Sequence, residues 1–70
     1  MALVKVIEVI ASSTVSFDDA VKNAVNEVCK TINHVDSVFV KDFKVHVQDG
    51  AITSYGAICK VSFRIDKDLQ

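Results

Sequence analysis

Between Ser16 and about Asn33 the apolar residues Phe17, Ala20, Val21, Ala24, Val25, Val28, Cys29 and Ile32 keep the helical repeat without a miss, at offsets 0, 3, 4, 7, 8, 11, 12 and 15 from Phe17. Asp18, Asp19, Lys22, Asn23, Asn26, Glu27, Lys30 and Thr31 make up the opposite face. Ser16 suits the N-cap, since its hydroxyl can accept from the orphan backbone N–H groups of the first turn. Asp19, three residues on, is a weaker relative of the capping-box Glu. Asp18 and Asp19 place carboxylates at the positive end of the helix dipole, and Lys30 and His34 sit near the other end. One amphipathic helix with one buried stripe follows, and strands have to supply the surface that covers it.

Leu3–Ile10 (LVKVIEVI) is β-branched and apolar, with Lys5 and Glu8 as its only charges, and reads as the first strand. Val6 and Ile7 are adjacent, so alternation is imperfect and both faces are expected to be at least partly covered. Ala11–Val15 is a small-residue connection into the helix cap. Val35–Val47 reads as a long second strand, with a bend expected near Lys41-Asp42. Its later half sets Phe43, Val45 and Val47 against Asp42, Lys44 and His46. Asp49-Gly50 is a hairpin turn signal, because Gly tolerates the positive φ required there. Ala51–Ile65 is the third strand. Tyr55, Ala57, Cys59, Val61, Phe63 and Ile65 form its apolar face, while Ser54, Gly56, Lys60, Ser62 and Arg64 dominate the other, with Ile52 and Ile58 among them. Asp66–Gln70 is a polar tail. The layout is α+β, in the order β-α-β-β, with an antiparallel sheet curled over one helix in a single domain spanning 1–70.

Lengths add a further constraint. A helix of about eighteen residues spans roughly 27 Å, and strands of about thirteen residues span roughly 43 Å. The hairpin overhangs its helix, and a protruding two-stranded ribbon is only marginally stable in water. In a chain of 70 residues that is 50% hydrophobic, one helix hides only part of the apolar surface. Copies of the same chain are the simplest supply of cover. A net charge of −1 with mixed signs gives no reason to expect a nucleic-acid or anionic-membrane partner. The apolar runs are too short for a transmembrane span, and no signal peptide is expected. Two cysteines do not make a disulfide scaffold, so a reducing cytoplasm is the expected compartment.

The strand Lys5-Val6-Ile7-Glu8, the small residues Ser12-Ser13 and the helix start Ser16-Phe17-Asp18-Asp19-Ala20 form an ordered series. It continues through Ala24, Thr31, the Asp49-Gly50 turn, Tyr55 and Lys60-Val61-Ser62-Phe63-Arg64. In order and spacing this series, which covers nearly the whole chain, resembles the dodecins. These are small β-α-β-β proteins that assemble into hollow dodecamers and commonly bind flavins. The resemblance implies a homo-dodecamer and a cofactor site at openings between subunits. In flavin-binding members an aromatic from the start of strand two stacks on the isoalloxazine ring, and a Gln directly after the strand-three Tyr bonds its polar edge. Those places fall on Ser37 and Gly56, while a basic residue of strand two matches Lys44. Ser37 has no π face and Gly56 no side chain, so the expected function is flavin storage or buffering by a dodecameric shell with weakened flavin binding. The alternatives are a shell holding a metal ion or an anionic cofactor such as coenzyme A, or a purely structural oligomer.

The remaining chemistry-bearing residues have structural readings. Cys29 on the helix stripe and Cys59 on the strand-three apolar face read as two small core hydrophobes. Thirty residues apart and without a CxxC, they give zinc no chelating start. His34 and His46 read as solvated or ion-paired, with a metal role only if symmetry gathers several copies. Ser12, Ser13 and Ser16 beside Asp18 and Asp19 read as a helix cap rather than a nucleophile with its acid, and no catalytic residues or enzyme activity are expected. Lys44, Lys60 and Arg64, with Lys41 nearby, either line a channel or phosphate site in an assembly, or pair with Glu8, Asp36, Asp42 and Asp49 across subunits. Phe39 and Tyr55 are the aromatics nearest to the Ser37 and Gly56 positions.

Overall fold

The helix starts where its capping residue places it. Ser16 is extended, at φ −167° and ψ 168°, and its Oγ accepts from the Asp19 backbone N–H at 3.0 Å. The structure, a computed structural model, describes residues 2–66. Its elements are β1 (Ala2–Ser13), α1 (Phe17–Thr31), β2 (Val35–Gln48) and β3 (Ala51–Asp66). The helix stops two residues short of the expected end. Ile32 leaves helical geometry at φ −116° while its N–H still donates to the Val28 carbonyl at 2.9 Å. The chain then turns through His34 at φ 63°, in the left-handed region. The His34 carbonyl accepts from Arg64 N–H at 3.0 Å, which pins the start of β2 to β3.

β1 runs three residues past the expected end at Ile10, because Ala11, Ser12 and Ser13 pair with Ala57, Gly56 and Tyr55. Small polar residues carry a weak strand signal, and pairing to a central strand overrides it. The sheet order is β1-β3-β2, with β3 antiparallel to both neighbours. Asp49 and Gly50 form the hairpin turn at φ 53° and 77°, the positive pair that a two-residue type I′ turn needs. Of the expected polar tail, Asp66 ends β3 and the rest lies outside the described residues.

The core is thin and built from small side chains. Ala20 and Ala24 of α1 sit against Ala57 and Cys59 of β3, with Val9, Ala11, Val21, Val38 and Val40 packed around them. Val61 and Cys59 are the largest fully buried side chains. The alanines let the helix lie close to the sheet, but contact is then confined to the centre of the stripe. Ala20, Ala24 and Val28 are buried, whereas Phe17, Val21, Val25 and Ile32 are half-buried. Cys29, expected in the core, is exposed at the edge of the stripe.

Among the described residues, nothing covers the opposite face of the sheet. Val4, Val6, Ile10 and Phe39 are all more than half exposed on it. The molecule measures 55 × 19 × 14 Å, and sixteen-residue β3, about 53 Å long at about 3.3 Å per residue, sets that length. The fifteen residues of α1 reach only about 22 Å. The hairpin therefore overhangs the helix, and Val47 and Ile52 are exposed near its tip.

Val28→Ala is expected to cost about 1–3 kcal/mol in chemical denaturation, through lost burial and a residual cavity. Lys22→Ala on the exposed face should stay within about 0.5 kcal/mol. Equal losses for the two would mean that a different face of α1 is covered.

Candidate functional site

Of three register shifts along the β2–β3 ladder, at Val35/Ser37, Val40/Asp42 and His46/Val47, the middle one decides which side chains from Ser37 to Lys44 share a face. Val40 pairs with Cys59 and Asp42 with Ile58, so Lys41 is an extra residue opposite the β3 ladder. The bend expected at Lys41-Asp42 is this bulge. Paired residues of an antiparallel ladder project to the same side of the sheet. Before Lys41, Val38 and Val40 face the helix with Val61 and Cys59, and after it Phe43 and Val45 do so with Ala57 and Tyr55. Ser37 and Lys44, of opposite parity in sequence, are thereby brought to one face, the face without the helix. Gly56 lies on it too.

Lys44 and Gly56 are direct cross-strand partners. A Cβ added at Gly56 would stand 3.0 Å from Lys44 Cγ and 3.3 Å from Lys44 Cε. The stem of Lys44 therefore lies on the bare backbone of Gly56 and buries it, which an aliphatic lysine chain does readily while its ammonium stays in water. The place that a side chain at position 56 would take is occupied by the Lys44 side chain of the neighbouring strand. Ser37 pairs with Ser62, six residues along β3 from Gly56, a separation of about 20 Å at about 3.3 Å per residue. One chain brings Lys44 and Gly56 together and leaves Ser37 apart from them.

This face is rich in cations. By register it holds Lys44, Lys60 and Arg64 against Glu8 and Asp42. Lys41 Nζ lies 3.8 Å from Glu8 Oε2, an ion pair made within the chain rather than across subunits. Both groups are about half exposed, so the pair is worth at most about 1 kcal/mol. Among residues 3–65, no carboxylate lies within ion-pair distance of Lys44, Lys60 or Arg64.

Of the two aromatics nearest the expected site, the structure separates one from it. Tyr55 lies on the helix side, edge-on to Phe17 at 5.1 Å, and Phe17 in turn is tilted against Phe43 at 4.8 Å. Phe39 pairs with Lys60 on the helix-free face and is exposed there. Choosing between them from sequence needed the position of the bulge, which the alternation pattern signalled only as a bend.

The Ser/Asp group forms the expected cap. Buried Ser13 donates from Oγ to Asp19 Oδ2 at 2.6 Å and accepts from Val15 N–H at 2.9 Å, closing the loop into α1. Ser13 Oγ, Asp19 Oδ2 and Ser16 Oγ thus all have partners within the cap. Asn23 Nδ2 donates to the Ser12 carbonyl at 3.0 Å, tying α1 to β1 beside a groove of about 450 Å³ lined mostly by apolar groups such as Ile7, Val9, Ala24 and Val28. Both cysteines are free, and burial pushes the Cys59 thiol up. Among the described residues no three His, Cys, Asp or Glu side chains cluster to hold a metal ion, and no helix is long and apolar enough to cross a membrane.

Comparison with known proteins bears on this arrangement. The dodecin family model matches residues 3–66. No curated protein matches the chain. Among solved structures, dodecin from Streptomyces coelicolor is 27% identical, covers 96% of each chain and superposes with a TM-score of 0.90. Dodecin from Streptomyces davaonensis is 26% identical over 94% of this chain and 97% of its own, with a TM-score of 0.89. Calcium dodecin from Mycobacterium tuberculosis, described as calcium chelating with a novel calcium-binding site, is 25% identical over 94% of each chain, with a TM-score of 0.82.

The two thiols are expected to differ in reactivity. A neutral-pH thiol reagent should label Cys29 rapidly, and Cys59 only on unfolding, because burial both shields its sulfur and disfavours the thiolate. Mass spectrometry of the labelled protein checks this, and two equally fast labels would contradict the placement of Cys59.

Proposed function

The chain belongs to the dodecin family, and on that premise we propose that it forms a homo-dodecameric shell that holds a small ligand at openings between subunits and catalyses no reaction. The observation that carries this reading is the helix-free face. On it Ser37 and the Lys44–Gly56 pair stand about 20 Å apart in one chain, so a site using both draws them from different copies. The same face exposes Val4, Val6 and Ile10, and the hairpin overhangs its helix, which are the surfaces that self-association would cover. Sequestration needs a desolvated, stacked site rather than a nucleophile or an acid–base pair. The Ser13–Asp19 group, the nearest thing to such a pair, serves the helix cap. A reducing cytoplasm suits the two free thiols.

Flavin binding is weakened in this reading. Ser37 provides no stacking plane, and a stacked ring is worth about 1–3 kcal/mol, judging from stacked bases. At Gly56 an edge-bonding side chain is replaced by the Lys44 stem. That stem also favours the second reading, an anionic cofactor such as coenzyme A. Lys44, Lys60 and Arg64 share a face and have no carboxylate partner among residues 3–65. A metal-ion role would need ligands from several copies.

Two measurements test the proposal. Light scattering should give a high-order homo-oligomer, with apparent stability rising with protein concentration by mass action; a folded monomer at micromolar concentration would overturn the shell. Riboflavin titration, followed by fluorescence quenching, should show weak binding that Ser37→Trp tightens about tenfold or more, since about 1.4 kcal/mol is tenfold in affinity. The single change is the cleaner one, because a Gln at position 56 has to displace Lys44. Quenching by the unmodified protein at sub-micromolar concentration would show that a ring is already in place.

A further inference from the structure

The β2–β3 hairpin outruns the rest of the sheet at Tyr55, the residue of β3 nearest the turn that still has a partner on β1. Beyond it Ala51, Ile52 and Ser54 pair only with Gln48, Val47 and His46 of β2, and a two-stranded ribbon is marginally stable by itself. This tip is nonetheless well formed. Asp49 and Gly50 supply the positive-φ pair of its turn, and Thr53 Oγ1 donates to the His46 carbonyl at 3.2 Å beside the last register shift. Val47 and Ile52 are cross-strand partners on it, and both are more than half exposed.

The groove of about 450 Å³ beside α1 follows the open edge of β1. Side chains from both faces of that strand line it, Ile7 and Val9 from the helix side and Ile10 from the other, with Ala24 and Val28 of α1 opposite. The twelve residues of β1 pair with β3 without a register shift, whereas β2, the other edge strand, is broken at three places. Bulges blunt an edge, and a regular apolar edge is the kind that takes up another chain.

We propose that the hairpin tip of a second copy of this chain fills the groove, setting Val47 and Ile52 against Ile7, Val9 and Val28. This inference rests on the shell reading above and names a contact that builds the shell. A chain's own tip does not reach its own groove. Ile52 lies seven residues along β3 from Cys59, the partner of Val9, which is about 23 Å on one continuous sheet. The tip also suits the space beside α1, because it lies beyond the helix start at Phe17 and brings no helix of its own. It arrives already ordered, which lowers the cost of docking. The contact is head to tail, so each copy gives a tip and receives one, and in a closed assembly the copies form a ring. Each copy then buries apolar surface twice, which suits a core as thin as this one.

Two measurements test the contact. Val47→Asp with Ile52→Asp places charges where a single chain leaves the residues in water. Far-UV circular dichroism should be retained, while light scattering falls to a small fraction of the assembled mass. Cross-linking reads the contact directly and does not depend on that variant folding. In a Cys29→Ser background, Glu27→Cys with Ile52→Cys puts one thiol on the groove and one on the tip, with Cys59 still buried. A short bismaleimide should then join chains into a ladder of trimers and higher species on a denaturing gel, and either new cysteine alone should give monomers. Dimers from Ile52→Cys alone would mean that tips meet tips and would overturn the proposal, as would an unchanged mass in the double-aspartate variant. An assembled protein that gives no ladder loses this contact and keeps the shell. A folded monomer in the unmodified protein removes both.

Discussion

The close approach of Ala20 and Ala24 to Ala57 and Cys59 is the contact on which the rest of this structure depends. Four small side chains let a fifteen-residue helix lie low across the middle of a much longer sheet. The cost is a shallow core, whose largest fully buried side chains are Val61 and Cys59. A fully buried side chain of valine size contributes about 1.5–3 kcal/mol, so a few of them supply only a small part of what ordering a 70-residue chain costs. The chain leaves much of its apolar surface on the helix-free face and the hairpin tip. That distribution is what a subunit needs if burial is to be completed by its neighbours.

The bulge at Lys41 is the second device, and it sets which residues share a face. An unbroken β2 would alternate strictly from Ser37 to Lys44 and send those two residues to opposite faces. The extra residue reverses the parity halfway along the strand. Val38 and Val40 still reach the core above it, and Phe43 joins the Phe17–Tyr55 stack below it. Ser37, Phe39 and Lys44 meanwhile gather on the helix-free face. One inserted residue therefore sets both the packing and the make-up of the helix-free face.

At the site, the substitutions that separate this chain from the flavin-binding pattern are coupled through space. Gly56 has no side chain to offer a ligand, and because it has none, Lys44 lies flat across it. An uncharged edge-bonding group is exchanged for a cation delivered from the neighbouring strand. With Lys60 and Arg64, this places three basic residues on the helix-free face.

Much of this was legible in the sequence. The 3.6-residue stripe from Phe17 to Ile32 announced the helix, Ser16 its start, Asp49-Gly50 the hairpin, and the alternation from Tyr55 to Ile65 the core face of β3. These are local signals, set by backbone geometry and by capping or turn chemistry within a few residues. The exposure of Cys29 was not legible, because periodicity shows which face is apolar but not how wide a strip the opposing sheet covers. Nor was the extension of β1 through Ser12 and Ser13, which depends on pairing with residues more than forty positions away. Tertiary structure alone decided that Tyr55 meets Phe17 edge-on, that Phe39 stands on the opposite face, and that Lys44 fills the place above Gly56. Each of these follows from strand register and one bulge. Register is settled by the whole ladder at once, whereas a side chain's identity is settled at its own position.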